Sequence, residues 1–200
     1  MGCAMDLRSL AVLVLWLLIC GIAVPAAAED AQTTAIYSPW TKFCLKNADE
    51  PNARQVCFTN KEAHTGPGAA AVAVVLIEPE GEQRKILRVT LPLGMQLIQG
   101  TRLIIDQDQP LTAPYVLCIA PGCMADYVAT SDMIAEMKKG QQLDVQAITS
   151  TAQPINMPFP LADFAKAYDG PPIDPKSLEE QQQKLQAELA LRAQRGGDQR

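Results

Sequence analysis

Apolar and polar residues alternate in short runs between residues 37 and 168, and turns separate the runs. Residues 85–91 show this best, because Leu87, Val89 and Leu91 form one face and the other face carries Arg88. A period of two residues indicates a half-buried β-strand. The run 69–78 is apolar up to Glu78 at its end, which predicts a central strand covered on both faces. Further strand-like runs lie at 40–46, 55–60, 101–106, 113–120, 123–130 and 142–150, and a proline-broken edge strand is expected at 155–161.

A few segments have helical chemistry. Residues 131–140 have Asp132 in the first turn and end at Gly140, which predicts one short internal helix that Thr130 or Ser131 can cap. A helical turn is expected at 162–168. The tail from residue 176 to residue 200 lacks proline and β-branched residues, so a solvent-exposed helix that frays into a polar end is expected there. Its thin apolar stripe favours a disordered charged tail with helical tendency over a coiled-coil or partner-docking handle.

These elements predict the fold class. Seven or more short strands, turns every 8–12 residues and one short helix are typical of an all-β sandwich. The chain of 200 residues has the size of a single domain. We therefore expect a sandwich domain at 37–168, followed by a linker and a helical or disordered tail at 169–200.

The N-terminal region has the pattern of a secretory signal peptide. Arg8 precedes the apolar run 10–20, and small residues at Ala26 and Ala28 follow it. We expect residues 1–28 to be removed by cleavage after Ala28. A membrane anchor is the alternative, but the run is shorter than the roughly 20 residues of a spanning helix.

Four cysteines remain after such cleavage, and an even number in an exported chain indicates two disulfides. Three pairings are possible, of which pairing between sequence neighbours is the simplest. The four cysteines are Cys44, Cys57, Cys118 and Cys123.

Two other uses of these cysteines are less well supported by their spacing. A thiol-exchange site usually has two residues between its cysteines, whereas four residues separate Cys118 from Cys123, and none of them is Lys, Arg or His. A zinc site needs close pairs, and twelve residues separate Cys44 from Cys57.

The remaining polar residues do not form a catalytic pattern. His64 is the only histidine, and its Gly- and Pro-rich surroundings predict a solvated loop residue. Several acidic residues are expected in solvated turns, namely Glu78, Glu80, Glu82, Asp106 and Asp108. The net charge of −5 without a basic cluster argues against nucleic acid as a partner. We therefore expect a non-enzymatic module with no metal and no cofactor.

Four short motifs together resemble the invasion-associated locus B family of bacterial envelope proteins, over residues 37–168. They are the "LPLG" turn, the "G-x-R-x-x-x-D" strand, the "C-x-x-x-G-C" hairpin and an upstream "W-x-x-x-C" element. Besides the cysteines, the residues that carry the resemblance are Trp40, Pro92, Gly94, Gly100, Arg102, Asp106 and Gly122. The resemblance implies an immunoglobulin-like β-sandwich with disulfides and no known catalysis.

The functional expectation combines both lines of reasoning. We expect an exported, non-enzymatic envelope protein, located in the periplasm, associated with the outer membrane or secreted, with no transmembrane segment after cleavage. Its role would be envelope maintenance or host-cell interaction, through a protein or envelope partner that the sequence does not identify. The alternative is a periplasmic thiol–disulfide oxidoreductase that uses Cys118 and Cys123. The oligomeric state is not predicted.

Overall fold

The structure is a computed structural model that describes residues 35–46, 53–64 and 72–197. The predicted signal peptide and its cleavage position at Ala28 lie outside the described residues. All strand pairs within the described part are antiparallel. The strands are β1 (Ile36–Tyr37), β2 (Thr41–Leu45), β3 (Val56–His64), β4 (Val72–Pro79), β5 (Lys85–Leu91), β6 (Thr101–Ile105), β7 (Leu111–Ala113), β8 (Tyr115–Ile119), β9 (Gly122–Ala129), β10 (Gln142–Ile148) and β11 (Pro154–Pro160).

These strands form two sheets. The larger sheet has seven strands in the order β1-β3-β4-β5-β9-β8, and β2 pairs with β3 beside β1. The smaller sheet has four strands in the order β11-β10-β6-β7. The two inner faces share one hydrophobic core, so the predicted all-β sandwich is confirmed.

Three α-helices and one short 3-10 helix complete the described fold. They are α1 (Ser131–Lys139), α2 (Phe164–Asp169), α3 (Pro175–Gly197) and the 3-10 helix Leu97–Gln99. Helix α1 confirms the predicted internal helix and its cap, because Thr130 Oγ1 accepts a hydrogen bond from the amide of Met133 at 3.1 Å. The tail is helical rather than disordered within the described range.

The alternation expected for β5 places Leu87, Val89 and Leu91 in the core, where all three are fully buried. Strand β4 is central, as predicted, but the expectation that both of its faces are covered is wrong. Val72, Val74 and Leu76 are buried, whereas the residues between them on the other face are only half-buried. The reason is that the second sheet packs on one face of the first.

Candidate functional site

The cysteines lie opposite one another on neighbouring strands. Cys118 of β8 is paired in register with Cys123 of β9, and their sulfur atoms are 2.08 Å apart. Cys44 of β2 is likewise opposite Cys57 of β3, with a sulfur–sulfur distance of 1.96 Å. The structure therefore holds both neighbour pairs at disulfide distance, one pair at each lateral edge of the seven-stranded sheet.

The surroundings of Cys118 and Cys123 are those of a strand hairpin. Both residues lie within strands, and Cys123 is buried. A reactive cysteine usually lies at a helix N-terminus or beside a cationic group, because both stabilise the thiolate. Neither cysteine begins a helix here, so the described hairpin supplies no feature that favours the oxidoreductase alternative.

Two glycines of the motif are required by close backbone approaches. A Cβ on Gly100, which has φ +64°, would lie 2.4 Å from the carbonyl oxygen of Ala113. A Cβ on Gly122, which has φ +144°, would lie 2.2 Å from the carbonyl oxygen of Leu91. Any other residue would force the strands apart at these points.

The other motif residues also hold backbone elements in place. Trp40 is buried, donates a hydrogen bond from Nε1 to Pro160 O at 2.8 Å and packs edge-to-face on Phe164. Asp106 Oδ1 accepts hydrogen bonds from the amides of Gln141 and Gln142, both at 2.9 Å. Asp106 therefore joins the end of β6 to the start of β10.

The motif does not converge on one site. Pro92 is half-buried directly after β5, and the carbonyl of Gly94 accepts a hydrogen bond from the amide of Ser150 at 2.7 Å. Arg102 is the exception, because its side chain is exposed and lines a cavity of about 460 Å³ beside Gln146 and Asn156 on the smaller sheet. Most motif residues therefore have a structural role, and they do not together form a chemical site.

Two expectations about polar residues were wrong. His64 is not a loop residue: it is the last residue of β3, lies opposite Ile36 of β1 and has its Nε2 3.3 Å from Glu62 Oε2. Glu78 is not a solvated turn residue, because it lies within β4 and accepts a hydrogen bond from Lys85 Nζ at 2.7 Å. Pairing with β1 extends β3 to His64, and pairing with Cys57 of β3 keeps Glu78 within β4.

A cationic cluster around Tyr168 fastens α2 to the sandwich. The ammonium groups of Lys138, Lys85 and Lys42 lie 4.3, 5.3 and 5.6 Å from the ring centroid. Burial lowers the pKa of Lys85, but the hydrogen bonds to Glu78 and Tyr168 outweigh burial and raise it overall. Sequence reasoning missed this cluster, since its members come from four different elements.

The open edge at β8 is a second feature that sequence reasoning missed. Val116, Leu117 and Ile119 are 55%, 48% and 45% exposed. The signal was present in the sequence, because residues 109–125 contain no charged side chain. Within the described residues β8 pairs only with β9, so its outer backbone groups face away from the sheet.

The described residues offer few other candidate sites. No helix among them is both long enough and apolar enough to cross a bilayer. Nor do three or more metal-ligating side chains come together anywhere in the described ranges.

Comparison with known proteins now assigns the family. The family model described as "Invasion associated locus B (IalB) protein" matches residues 40–172. The chain belongs to the invasion associated locus B family. Two invasion protein B homologs of Brucella abortus, from strain 2308 and from biovar 1 strain 9-941, are each 23% identical over 147 residues, covering 73% of this chain and 82% of their own.

A solved structure supports the fold of the family. The crystal structure of invasion associated protein b from Bartonella henselae superposes with a TM-score of 0.56 at 18% sequence identity, covering 68% of this chain and 92% of that chain. These relatives are named as invasion proteins and not by an enzymatic activity. Family membership and the two cysteine pairs at disulfide distance together indicate an extracytoplasmic protein. Helix α3 lies beyond the matched residues.

Proposed function

We propose that this chain is a non-enzymatic envelope protein of the periplasm, exported by cleavage after Ala28, that contacts a partner protein along the open edge of β8. In this proposal residues 37–168 are the contacting domain and residues 169–200 are an appended tail. The relatives named as invasion proteins support a role in host-cell interaction, and an envelope partner inside the bacterium is the second candidate.

The observation that carries the proposal is a difference between the sheet edges. Natural sheets protect their edges with prolines, charges, short strands or interruptions, because an open edge pairs with other chains. Strand β11 contains Pro154, Pro158 and Pro160, and β7 has only three residues. The edge opposite β8 is split between β1 and β2.

Strand β8 has less protection than these edges. A bulge between Tyr115 and Leu117 interrupts its pairing with β9, but the remaining residues carry no charge and no proline. A bond between Cys118 and Cys123, whose sulfur atoms are 2.08 Å apart, would hold the edge strand against β9. An edge strand that is already held in place loses little conformational entropy on binding, which favours the addition of a strand from a partner.

The chemistry of the edge indicates the occupant. Addition to β8 would place a partner strand beside Leu117 and Ile119, both of which are apolar and exposed. The 17 residues from 109 to 125 contain no charge, so a charged partner segment would find no counter-ion there. We therefore infer that the partner supplies an extended, uncharged segment.

Complementation of a deletion strain tests the proposal. The double variant Leu117→Lys/Ile119→Lys places charges on the edge, and we expect it to fold but to fail to restore host-cell entry or resistance of the envelope to detergent. The matched control is Ile98→Lys, because Ile98 is 99% exposed and lies in the 3-10 helix, outside β8. Full complementation by the edge variant, or a deletion without either phenotype, would contradict the proposal.

A further inference from the structure

Lys61 is the only charged residue among the described residues that is buried, with 7% of its surface exposed. It lies in the inward-facing row of β3 between Thr59 and Ala63, both of which are fully buried. A lysine is almost never buried without a partner, since removing an ammonium group from water is costly. Burial accordingly lowers the pKa of Lys61, and the charge of Asp163 offsets this only in part.

The immediate neighbours of the Lys61 ammonium are aromatic rings. Its Nζ lies 5.6 Å from the ring centroid of Trp40 and 5.9 Å from that of Tyr37. Aromatic faces attract a cation, but they do not supply the oxygen acceptors that its three N–H groups require. Across residues 35–46, 53–64 and 72–197, Nζ makes no side-chain hydrogen bond and no ion pair, and it is not one of the unpartnered atoms that are cut off from solvent, so it faces the cavity.

Lys61 lines a cavity of about 420 Å³ between β2, α2 and the segment that leads into α3. Trp40, Pro171 and Ile173 contribute apolar parts of its wall. This volume lies within the range of small-molecule sites, which are mostly apolar with a few polar groups that orient the ligand. The cavity therefore has the size and composition of a binding site, with Lys61 as its buried polar group.

The charges around the cavity limit the class of ligand. Lys42, Lys166 and Asp163 also line it, so these three and Lys61 sum to two positive charges. The Lys42 ammonium keeps its charge but has a protein acceptor, the carbonyl of Tyr168 at 2.8 Å. Asp163 makes no side-chain cap to α2, so its carboxylate is not neutralised by the helix. The positive sum favours an anionic ligand, and the Lys61 ammonium beside an apolar wall suits one carboxylate on an apolar body.

We propose that this cavity binds a small organic monocarboxylate, whose carboxylate pairs with the Lys61 ammonium and whose apolar part lies against Trp40 and Ile173. This site is independent of the proposed β8 contact, because three strands, β4, β5 and β9, separate β3 from β8 in the seven-stranded sheet. The carboxylate would supply the oxygen acceptors that the described protein groups do not provide.

Calorimetric titration of the exported chain with benzoate tests the proposal. We expect saturable binding of benzoate, and at least tenfold weaker binding of benzamide, which has the same shape without the charge. Lys61→Met is expected to weaken benzoate binding at least tenfold, whereas Lys139→Met, which changes an exposed lysine of α1, is expected to leave it unchanged. Equal binding of benzoate and benzamide, unchanged binding by Lys61→Met, or tighter binding of inorganic phosphate would overturn the proposal.

A second measurement covers the case in which Lys61→Met does not fold. Reductive ¹³C-methylation labels the lysines of the unmodified sequence, and the milder Lys61→Arg variant assigns the Lys61 signal by its disappearance. Benzoate is expected to shift the Lys61 signal and raise the pKa of that amine, while the Lys139 signal stays in place. A Lys61 signal that does not respond to saturating benzoate would overturn the proposal.

Discussion

Thr101 and Tyr127 join the two sheets through a buried hydrogen bond of 2.6 Å between their hydroxyl groups. Thr101 belongs to β6 of the smaller sheet and Tyr127 to β9 of the larger one. The other contact of the Thr101 hydroxyl is a weak one, at 3.4 Å from the carbonyl of Ala113. The pair is therefore a direct polar link between the two sheets within a mostly apolar core.

Tyr127→Phe is expected to lower the free energy of unfolding by about 1–2 kcal/mol, because it leaves the buried Thr101 hydroxyl without its strong partner. Urea denaturation measures the loss. Tyr115→Phe is the matched control, since the Tyr115 hydroxyl is buried and has no partner within the described residues. Its removal should be neutral or stabilising, and equal losses in both variants would count against this explanation.

Alkaline pH is expected to destabilise the protein through these two tyrosines. Burial is the main cause that raises the pKa of both Tyr115 and Tyr127 to about 12. Because the pKa in the folded state lies above the value near 10 of an unfolded chain, the native state favours the neutral phenol. The resulting stability is fully present below pH 10 and is lost as the pH rises from about 10 to about 12.

Ultraviolet titration of tyrosinate, followed beside urea denaturation at each pH, checks this expectation. Tyr115 and Tyr127 should ionise late and together with the loss of stability, and burial also raises the pKa of Tyr37 above its usual value. Tyr127→Phe should remove one of the late ionisations and reduce the loss of stability between about pH 10 and about pH 12. A titration in which all tyrosines ionise near pH 10 in the folded protein would contradict it.

Gly122→Ala is expected to cost more than 2 kcal/mol of stability, since the added Cβ meets the Leu91 carbonyl oxygen and the backbone conformation is unfavourable for alanine. Gly81→Ala is the matched control, because Gly81 has φ +74° but nothing within 4 Å of the added Cβ. That control should lose only the roughly 1–2 kcal/mol of a left-handed residue. Thermal denaturation compares the two, and similar losses would show that the contact with Leu91 is unimportant.

Removing the two disulfides should have unequal effects. The sequence separation is 13 for Cys44 and Cys57 and 5 for Cys118 and Cys123. In the chain-entropy model, paired alanine substitutions should therefore cost about 3 and about 2 kcal/mol respectively. Guanidinium denaturation measures both, and free-thiol titration of protein from its native cells provides the control for oxidation. Four reactive thiols in the native material would show that neither disulfide forms in the native protein, and would contradict this prediction.

The local elements were predictable because short-range rules determine them. The alternation in 85–91 and the cap at Thr130 each depend on neighbouring residues alone, and the structure contains both elements. The family motif could also be recognised in the sequence. Most of its residues hold the backbone in place, so the motif does not indicate a functional site.

The rest depends on pairing between distant segments. The run 69–78 reads as a strand, but its sequence does not reveal that a second layer covers only one face. Strand β3 continues to His64 because β1, more than 20 residues earlier, pairs with it. The burial of Lys61 is equally hidden, since "VCFTNKEAH" has no clear apolar face until the register with β4 assigns one.

The positions of the two cysteine pairs have a consequence for how the native protein opens. On each side of the larger sheet a disulfide links the edge strand to its neighbouring strand. An edge strand that loses its hydrogen bonds therefore stays attached to the sheet. The smaller sheet has no such tether within the described residues. Amide hydrogens of β7 and β11 should therefore exchange with solvent first, and a protease that attacks the native state would cut there before it reached the larger sheet.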